Sequence, residues 1–171
     1  LRAYYHPHHE RLPRAVRASL EATGQALILD CHSFPSHPLP CDLDQALRRP
    51  EFCLGTDPFH TPAWIPSVIG KALSEAGWGH RIDQPYAGTI VPLERLYVDA
   101  RVLSVMIEVR RDLYMDEATG AAHGGMKVLI DAIGRVVGKL REAAKVAKVR
   151  PLGIDAGKGL RLEQEELESN K

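Results

Sequence analysis

The chain has 171 residues, of which 44% are hydrophobic and 26% are charged, so one ordinary globular core is expected without help from disulfides. Its 22 basic residues balance its 22 acidic residues, and this balance argues against nucleic acid or an anionic membrane as a partner. No apolar run approaches the length of a membrane span, and no signal-peptide pattern is present.

Three cysteines are present, at positions 31, 41 and 53. Their odd number and the lack of CxxC spacing argue against a disulfide framework or a cysteine zinc cage. Reduced thiols in a cytoplasmic protein are therefore expected.

The first predicted element is an amphipathic helix over residues 8–22, which Gly24 ends. Residues 26–29 form an all-apolar run, which predicts a strand in a sheet that is covered on both faces. Polar residues 30–33 follow where this strand is expected to end. Prolines at positions 35, 38 and 40 then exclude regular structure.

The remaining predicted elements are a strand at 52–55, a helix at 61–76, a strand at 80–83, a loop at 85–88, a strand at 102–109 and a helix from 126 to about 147. Thr61 is the expected N-cap of the second helix, and Pro62 its first residue. Strands alternate with helices, which predicts an α/β fold with a mixed, largely parallel sheet flanked by helices. Residues 1–150 are assigned to one domain, and residues 151–171 to a loose polar tail.

Two residues stand where the strands are expected to end, which is where ligands bind in α/β sheets. His32 can bind a metal such as zinc through its imidazole, with Asp30 on the same face of the strand. The alternative is a loop histidine whose hydrogen bonds are satisfied within the protein. The position of His32 in the sequence, taken alone, favours this alternative over a metal ligand. Glu108 places a carboxylate in an apolar strand, where a raised pKa suits a general base. Its alternative is a salt bridge to a neighbouring arginine.

Arg110 and Arg111 follow this glutamate directly. A guanidinium there can hold a substrate carboxylate through two hydrogen bonds or stabilise an oxyanion, whereas the alternative is a pair of surface arginines. A cluster near the start contains three histidines and a glutamate: His6, His8, His9 and Glu10. Its spacing is not HExxH, and Pro7 is expected to interrupt any helix that would align the cluster. One of these residues is expected near a site and the others at the surface.

Together these segments resemble the N-formylglutamate amidohydrolase family. The resemblance is carried, in family order, by residues 5–9 (YHPHH), 29–36 (LDCHSFPS), 54–57 (LGTD), 85–88 (PYAG) and 107–117 (IEVRRDLYMDE). The chain departs from the family pattern at His8, Met106 and Arg110, where the family commonly has Tyr, Gln and Asn. These departures bear on the choice of substrate.

The resemblance implies a fold like that of the zinc carboxypeptidases, with His32 as a zinc ligand and Glu108 as the base and proton shuttle. It also implies that Arg111 holds a substrate carboxylate, with Tyr86, His9 and Ser33 near the substrate. Family members carry an earlier segment with a Pro-His-Ser-Gly motif and the remaining metal ligands. Residues 1–150 therefore resemble the C-terminal part of the amidohydrolase domain.

The resulting interpretation is a zinc-dependent amidohydrolase that releases formate, or another small acyl group, from an N-acyl amino acid such as N-formylglutamate, as in histidine degradation. Another divalent metal is an alternative to zinc. A second interpretation is a truncated or degenerate family member that lacks a full metal site and binds ligands without catalysis. A third is a structural α/β domain in which His32 and Glu108 are ordinary polar residues. An uncovered sheet edge or face would favour self-association.

Overall fold

The computed structural model describes residues 2–147, and the predicted tail at residues 151–171 lies outside them. In chain order the elements are α1 (Tyr5–Thr23), β1 (Ala26–Phe34), β2 (Phe52–Gly55), α2 (Trp64–Glu75), β3 (His80–Ile82), β4 (Val102–Arg110), a 3-10 turn (Arg111–Leu113) and α3 (Gly125–Ala147). The four predicted strands and three predicted helices are therefore all present.

The strands form one sheet in the order β1-β4-β2-β3. β4 pairs parallel with β1 and antiparallel with β2, and β2 pairs parallel with β3. The sheet is therefore mixed and mostly parallel, and the predicted α/β class is confirmed. β1 forms one edge of this four-stranded sheet, and another chain could pair with that edge. Self-association stays a prediction.

One face of the sheet packs against α2 and α3. The buried side chains of this core are Phe52, Leu54, Ile65, Ile69, Ala72, Leu73, Leu103, Val105, Ile107, Val109, Leu129, Val136 and Leu140. Burying an aliphatic or aromatic side chain of this size contributes about 1.5–3 kcal/mol, so this layer is the main source of stability. It leaves the opposite face of β4 free to carry polar groups.

On the opposite face, α1 covers the ends of β1 and β4 where those strands begin. Val16 packs there with Ala26, Val91 and Val102 in a second, smaller core. Alternate residues of a strand point to opposite faces, so the next side chains along this face are polar. α1 therefore covers only part of this face.

Several boundaries differ from the prediction. β1 continues to Phe34 because it pairs with β4 along its whole length, so His32 lies inside the strand instead of after it. α1 begins at Tyr5, and the predicted interruption at Pro7 is wrong. A proline in the first helical turn loses no intrahelical hydrogen bond, since the N–H groups of that turn have no partner within the helix.

α2 begins at Trp64, so the predictions of Thr61 as its N-cap and of Pro62 as its first residue are both wrong. The Thr61 hydroxyl instead donates to the carbonyl of Ser104 at 2.6 Å and accepts from the N–H of Asp57 at 2.9 Å. On the apolar side of α3, Leu129 and Leu140 are buried, whereas Ile130 is 62% exposed.

All three cysteines are free thiols, and Cys53 is the buried one. Among residues 2–147, no helix has both the length and the apolar character that a bilayer span requires.

Candidate active site

His32 and Glu108 lie directly opposite each other in the parallel pairing of β1 with β4. Residues paired in this way point to the same face of the sheet, on strands about 4.8 Å apart. His32 and Glu108 therefore share one face of the sheet on neighbouring strands. β4 is an interior strand, whereas β1 is the edge of the described sheet.

The imidazole of His32 is held by Asp30, which precedes it by two residues on the same face of β1. The two side chains meet at 2.7 Å between Nε2 of His32 and Oδ1 of Asp30. The other carboxylate oxygen of Asp30 accepts a hydrogen bond from the N–H of Ile90 at 3.2 Å. Half of the His32 side chain stays exposed, against 18% of the Asp30 side chain. The ring is thus oriented from one side and open on the other.

Glu108 is buried, with 8% of its surface exposed. Its Oε2 atom has no hydrogen-bond partner among the described residues. Burial raises the pKa of the Glu108 carboxyl, the Asp30 carboxylate raises it further, and His32 and Arg111 oppose the shift. A buried carboxyl with a raised pKa and an unpaired oxygen is suited to accepting a proton.

The alternative of a salt bridge to a neighbouring arginine is not formed. Arg110 pairs with Asp112 at 2.7 Å, and its Nη1 donates to the carbonyl of Arg49. Arg111 donates from Nε to the Ser33 hydroxyl at 3.2 Å and from Nη2 to the Ser33 carbonyl at 3.1 Å.

Arg111 lies where β4 ends, and its charge lowers the pKa of Glu108 from there. Its Nη1 makes no hydrogen bond within residues 2–147. Ser33 points to the sheet face opposite His32, because side chains alternate along a strand. The structure therefore places Ser33 beside Arg111 and not beside the imidazole, and the assignment of both residues to substrate binding stays a prediction.

Tyr86 lies on the loop between β3 and β4, which crosses the site face of the sheet. The thiol of Cys53, which pairs opposite Glu108, donates to the Tyr86 carbonyl at 3.1 Å. A side chain at Gly55 would collide with the carbonyl oxygen of Gly88, so only glycine allows the loop to lie this close.

The Tyr86 hydroxyl accepts from Nη1 of Arg49 at 3.1 Å and donates to Oδ2 of Asp42 at 3.3 Å. It is therefore engaged with the loop between β1 and β2, and its role toward a substrate stays a prediction. Sequence reasoning missed Arg49, which is buried at this junction. No motif marks it, because its partners come from distant parts of the chain.

His9 is exposed on α1, where its ring packs on Tyr5 at 4.0 Å between centroids. His8 is its other ring neighbour. Within residues 2–147 no hydrogen bond or ion pair joins His9 to His32 or Glu108. The structure does not bring His9 into this site, and its predicted role is untested.

A complete metal site is not formed by the described residues. Over residues 2–147, no group of three or more His, Cys, Asp or Glu side chains could hold a metal ion. A catalytic zinc normally takes three protein ligands and a water. His32 fits as one ligand beside the Glu108 carboxylate, and this part of the chain does not supply the rest.

Comparison with known proteins identifies the family. The sequence model of the family described as N-formylglutamate amidohydrolase matches residues 1–115. The solved structure of N-formylglutamate amidohydrolase from Ralstonia eutropha JMP134 is similar in fold, with a TM-score of 0.65 at 24% identity over 86% of this chain and 54% of that one. A protein from Agrobacterium tumefaciens matches with a TM-score of 0.49 at 22% identity, over 81% of this chain and 52% of that one.

The chain thus spans about half the length of these two solved structures. No curated protein sequence matches it. The family match covers well over half of the chain and includes both His32 and Glu108. The protein therefore belongs to the N-formylglutamate amidohydrolase family.

Proposed function

We propose that the protein hydrolyses the amide bond of an N-acyl amino acid, with N-formylglutamate as the representative substrate and formate as the released acyl product. One observation supports this most directly. The buried, unpaired oxygen of Glu108 belongs to a residue that lies in register with His32 on one face of the sheet. A buried general base beside an imidazole that can bind a metal suits the activation of a water for amide hydrolysis.

In this proposal Glu108 takes a proton from the attacking water, whose oxygen adds to the acyl carbon. The C–N bond then breaks, and Glu108 returns the proton to the leaving amine nitrogen. The raised pKa of Glu108 suits both steps, because burial makes the carboxyl a stronger proton acceptor than an exposed one. Arg111 binds a substrate carboxylate, since its charge and planar fork match that group.

Zinc is the proposed cofactor, with His32 as one ligand, and another divalent metal is the alternative. A zinc ion polarises a carbonyl and lowers the pKa of a bound water to about 7. The further ligands would come from outside residues 2–147, because these residues hold no three-ligand cluster. The proposed location is the cytoplasm, where free thiols such as those of the three cysteines persist.

The incomplete ligand set favours a second candidate function. In this candidate the protein binds N-acyl amino acids or other acidic ligands beside Arg111 and does not hydrolyse them. The two candidates share a ligand class and differ in turnover.

The test is formate release by the full-length protein, stripped of metal with a chelator and then supplied with zinc. The substrates are N-formylglutamate, which releases formate, and N-acetylglutamate, whose hydrolysis is followed by release of acetate, with binding of each measured by calorimetry. We expect zinc-dependent turnover, its loss in His32→Gln, and its retention in His37→Gln. His37 is an exposed histidine that follows β1 and has Ser36 as its hydrogen-bond partner, so it is a matched control. Binding without turnover in every condition would select the second candidate, and neither binding nor turnover would overturn both.

A further inference from the structure

The carboxylate of Asp30 has no role in the proposed mechanism, yet it contacts both the His32 imidazole and the backbone of Ile90. Oδ1 contacts Nε2 of His32 at 2.7 Å, and Oδ2 accepts from the N–H of Ile90 at 3.2 Å. An ionised carboxylate only accepts hydrogen bonds. Nε2 of a neutral His32 ring must therefore carry the hydrogen, and the lone pair lies on Nδ1, which has no hydrogen-bond partner among residues 2–147.

We infer that Asp30 is a positioning residue that fixes His32 in the Nε2–H tautomer and so presents the Nδ1 lone pair to the site. The tautomer of His32 is inferred from these contacts alone, and only the use of its lone pair to bind a metal rests on the proposed function. A histidine that binds a metal through one nitrogen commonly donates its other N–H to a carboxylate, which fixes both the tautomer and the ring plane.

The Ile90 contact fixes Oδ2 of Asp30 as an acceptor, and an ionised carboxylate leaves Oδ1 an acceptor as well. The carbonyl of Ile90 accepts from the Ser104 hydroxyl at 2.8 Å, and that hydroxyl also contacts the hydroxyl of Thr89 at 2.7 Å. Ser104 is fully buried on β4, so this part of the loop is fixed on the sheet. The N–H of Ile90 therefore points at Asp30 regardless of what His32 does.

An asparagine at position 30 cannot accept a hydrogen bond from both neighbours, because it has one oxygen and one NH₂ group. If its oxygen faces the N–H of Ile90, its NH₂ group faces Nε2 of His32 and forces that nitrogen to become the acceptor. The hydrogen then moves to Nδ1, and the lone pair is no longer presented to the site. In a serine protease, the corresponding aspartate-to-asparagine change preserves geometry and still costs about 10⁴-fold in kcat through the wrong tautomer.

The chain contains an internal reference for this measurement. The fully buried His60 contacts the carbonyl of Val102 through Nδ1 at 2.7 Å, and its Nε2 accepts from the N–H of Tyr97 at 2.9 Å. Both partners are backbone groups with fixed roles, so His60 carries its hydrogen on Nδ1. The two histidines are thus expected in opposite tautomers.

The test is long-range ¹H–¹⁵N NMR of the protein with ¹⁵N-labelled imidazoles at about pH 8, where unperturbed histidines are neutral. The His32 signals are identified by their absence in His32→Gln. We expect an Nε2–H pattern for His32 and an Nδ1–H pattern for His60, with Asp30→Asn converting only His32 to Nδ1–H. An Nδ1–H pattern or an even mixture at His32 in the unmodified protein would overturn the inference, and so would an unchanged His32 pattern in folded Asp30→Asn.

Asp83→Asn is the matched control, because Asp83 also accepts from a backbone N–H and a hydroxyl, both of Thr56. Asp83→Asn should leave the His32 NMR pattern unchanged. A change of the His32 tautomer in Asp83→Asn would show that loosening of the loop causes the change, and this would overturn the role of Asp30. If Asp30→Asn loses the His60 pattern through unfolding, the unmodified protein still decides the tautomer. This readout needs neither metal nor substrate, so a protein without turnover would contradict the proposed function and leave the inference standing.

Discussion

Replacing Arg49 with methionine tests how the loop between β1 and β2 is held against the site. The Arg49 side chain is 1% exposed, and its Nη2 contacts Oδ2 of Asp42 at 2.6 Å. Its Nη1 donates to the Tyr86 hydroxyl at 3.1 Å. The guanidinium also lies 5.8 Å from the ring centroid of Phe34 and 5.7 Å from that of Tyr86. One side chain therefore joins the loop to the end of β1 and to the loop that carries Tyr86.

The size of the effect follows from removing one member of a buried ion pair. Such a removal costs about 3–5 kcal/mol, because the remaining charge loses its partner. Asp42 keeps 10% exposure of its side chain and a hydrogen bond from the N–H of Leu39. We therefore expect Arg49→Met to lower the free energy of unfolding by about 3 kcal/mol, at the lower end of that range. Methionine keeps most of the apolar stem, so a cavity adds little.

The assay is urea unfolding followed by the fluorescence of Trp64 and Trp78, which pack against the main core. Amide hydrogen exchange should be run alongside, because the loop could open locally without global unfolding. Arg48→Met is the matched control, since Arg48 is exposed and its loss should stay within about 0.5 kcal/mol. Equal stability and equal exchange in the two variants would refute the structural role of Arg49.

Two further predictions concern Asp99 and Arg111. Hydrogen bonds from Arg101 lower the pKa of Asp99 from 3.8 to about 2, so its stabilising effect is complete above about pH 5 and is lost as the pH falls towards 2. Asp99→Asn should therefore cost about 1–2 kcal/mol at pH 7 and less than about 0.5 kcal/mol near pH 2, as measured by urea unfolding at both pH values. A cost at pH 2 as large as that at pH 7 would remove this ion pair as its cause. Arg111→Lys should raise KM for N-formylglutamate about tenfold and change the free energy of unfolding much less, because lysine keeps the charge but lacks the fork. The same rise in KM for N-formylglutamine, which lacks the side-chain carboxylate, would remove Arg111 from recognition of that group.

The sheet and a shared site for His32 and Glu108 could be predicted because local signals and motif order agree. The apolar runs of β2 and β4 specify strands that are buried on at least one face. Glu108 interrupts such a run, and an unpaired acid there suggests chemistry. The register that sets Glu108 opposite His32 depends on tertiary pairing, but the order of the motifs already implied a shared site.

The remaining features depend on contacts between distant residues. β1 extends through polar positions because β4 supplies backbone partners, which no local pattern of β1 reveals. Thr61 resembles an N-cap in sequence, but its hydroxyl is taken by the carbonyl of Ser104. Arg49 lacks any motif, because its partners Asp42 and Tyr86 are brought together only by folding.

The most direct test of the central claim is turnover of Glu108→Gln in the full-length, zinc-supplied protein. Glutamine keeps the shape of the side chain and cannot take the proton, so kcat for formate release should fall by about 10²–10⁴-fold. Zinc per protein should stay unchanged, and Glu94→Gln, at a carboxylate whose side chain is 51% exposed, should retain full turnover. An unchanged kcat in Glu108→Gln would contradict the assignment of Glu108 as the base.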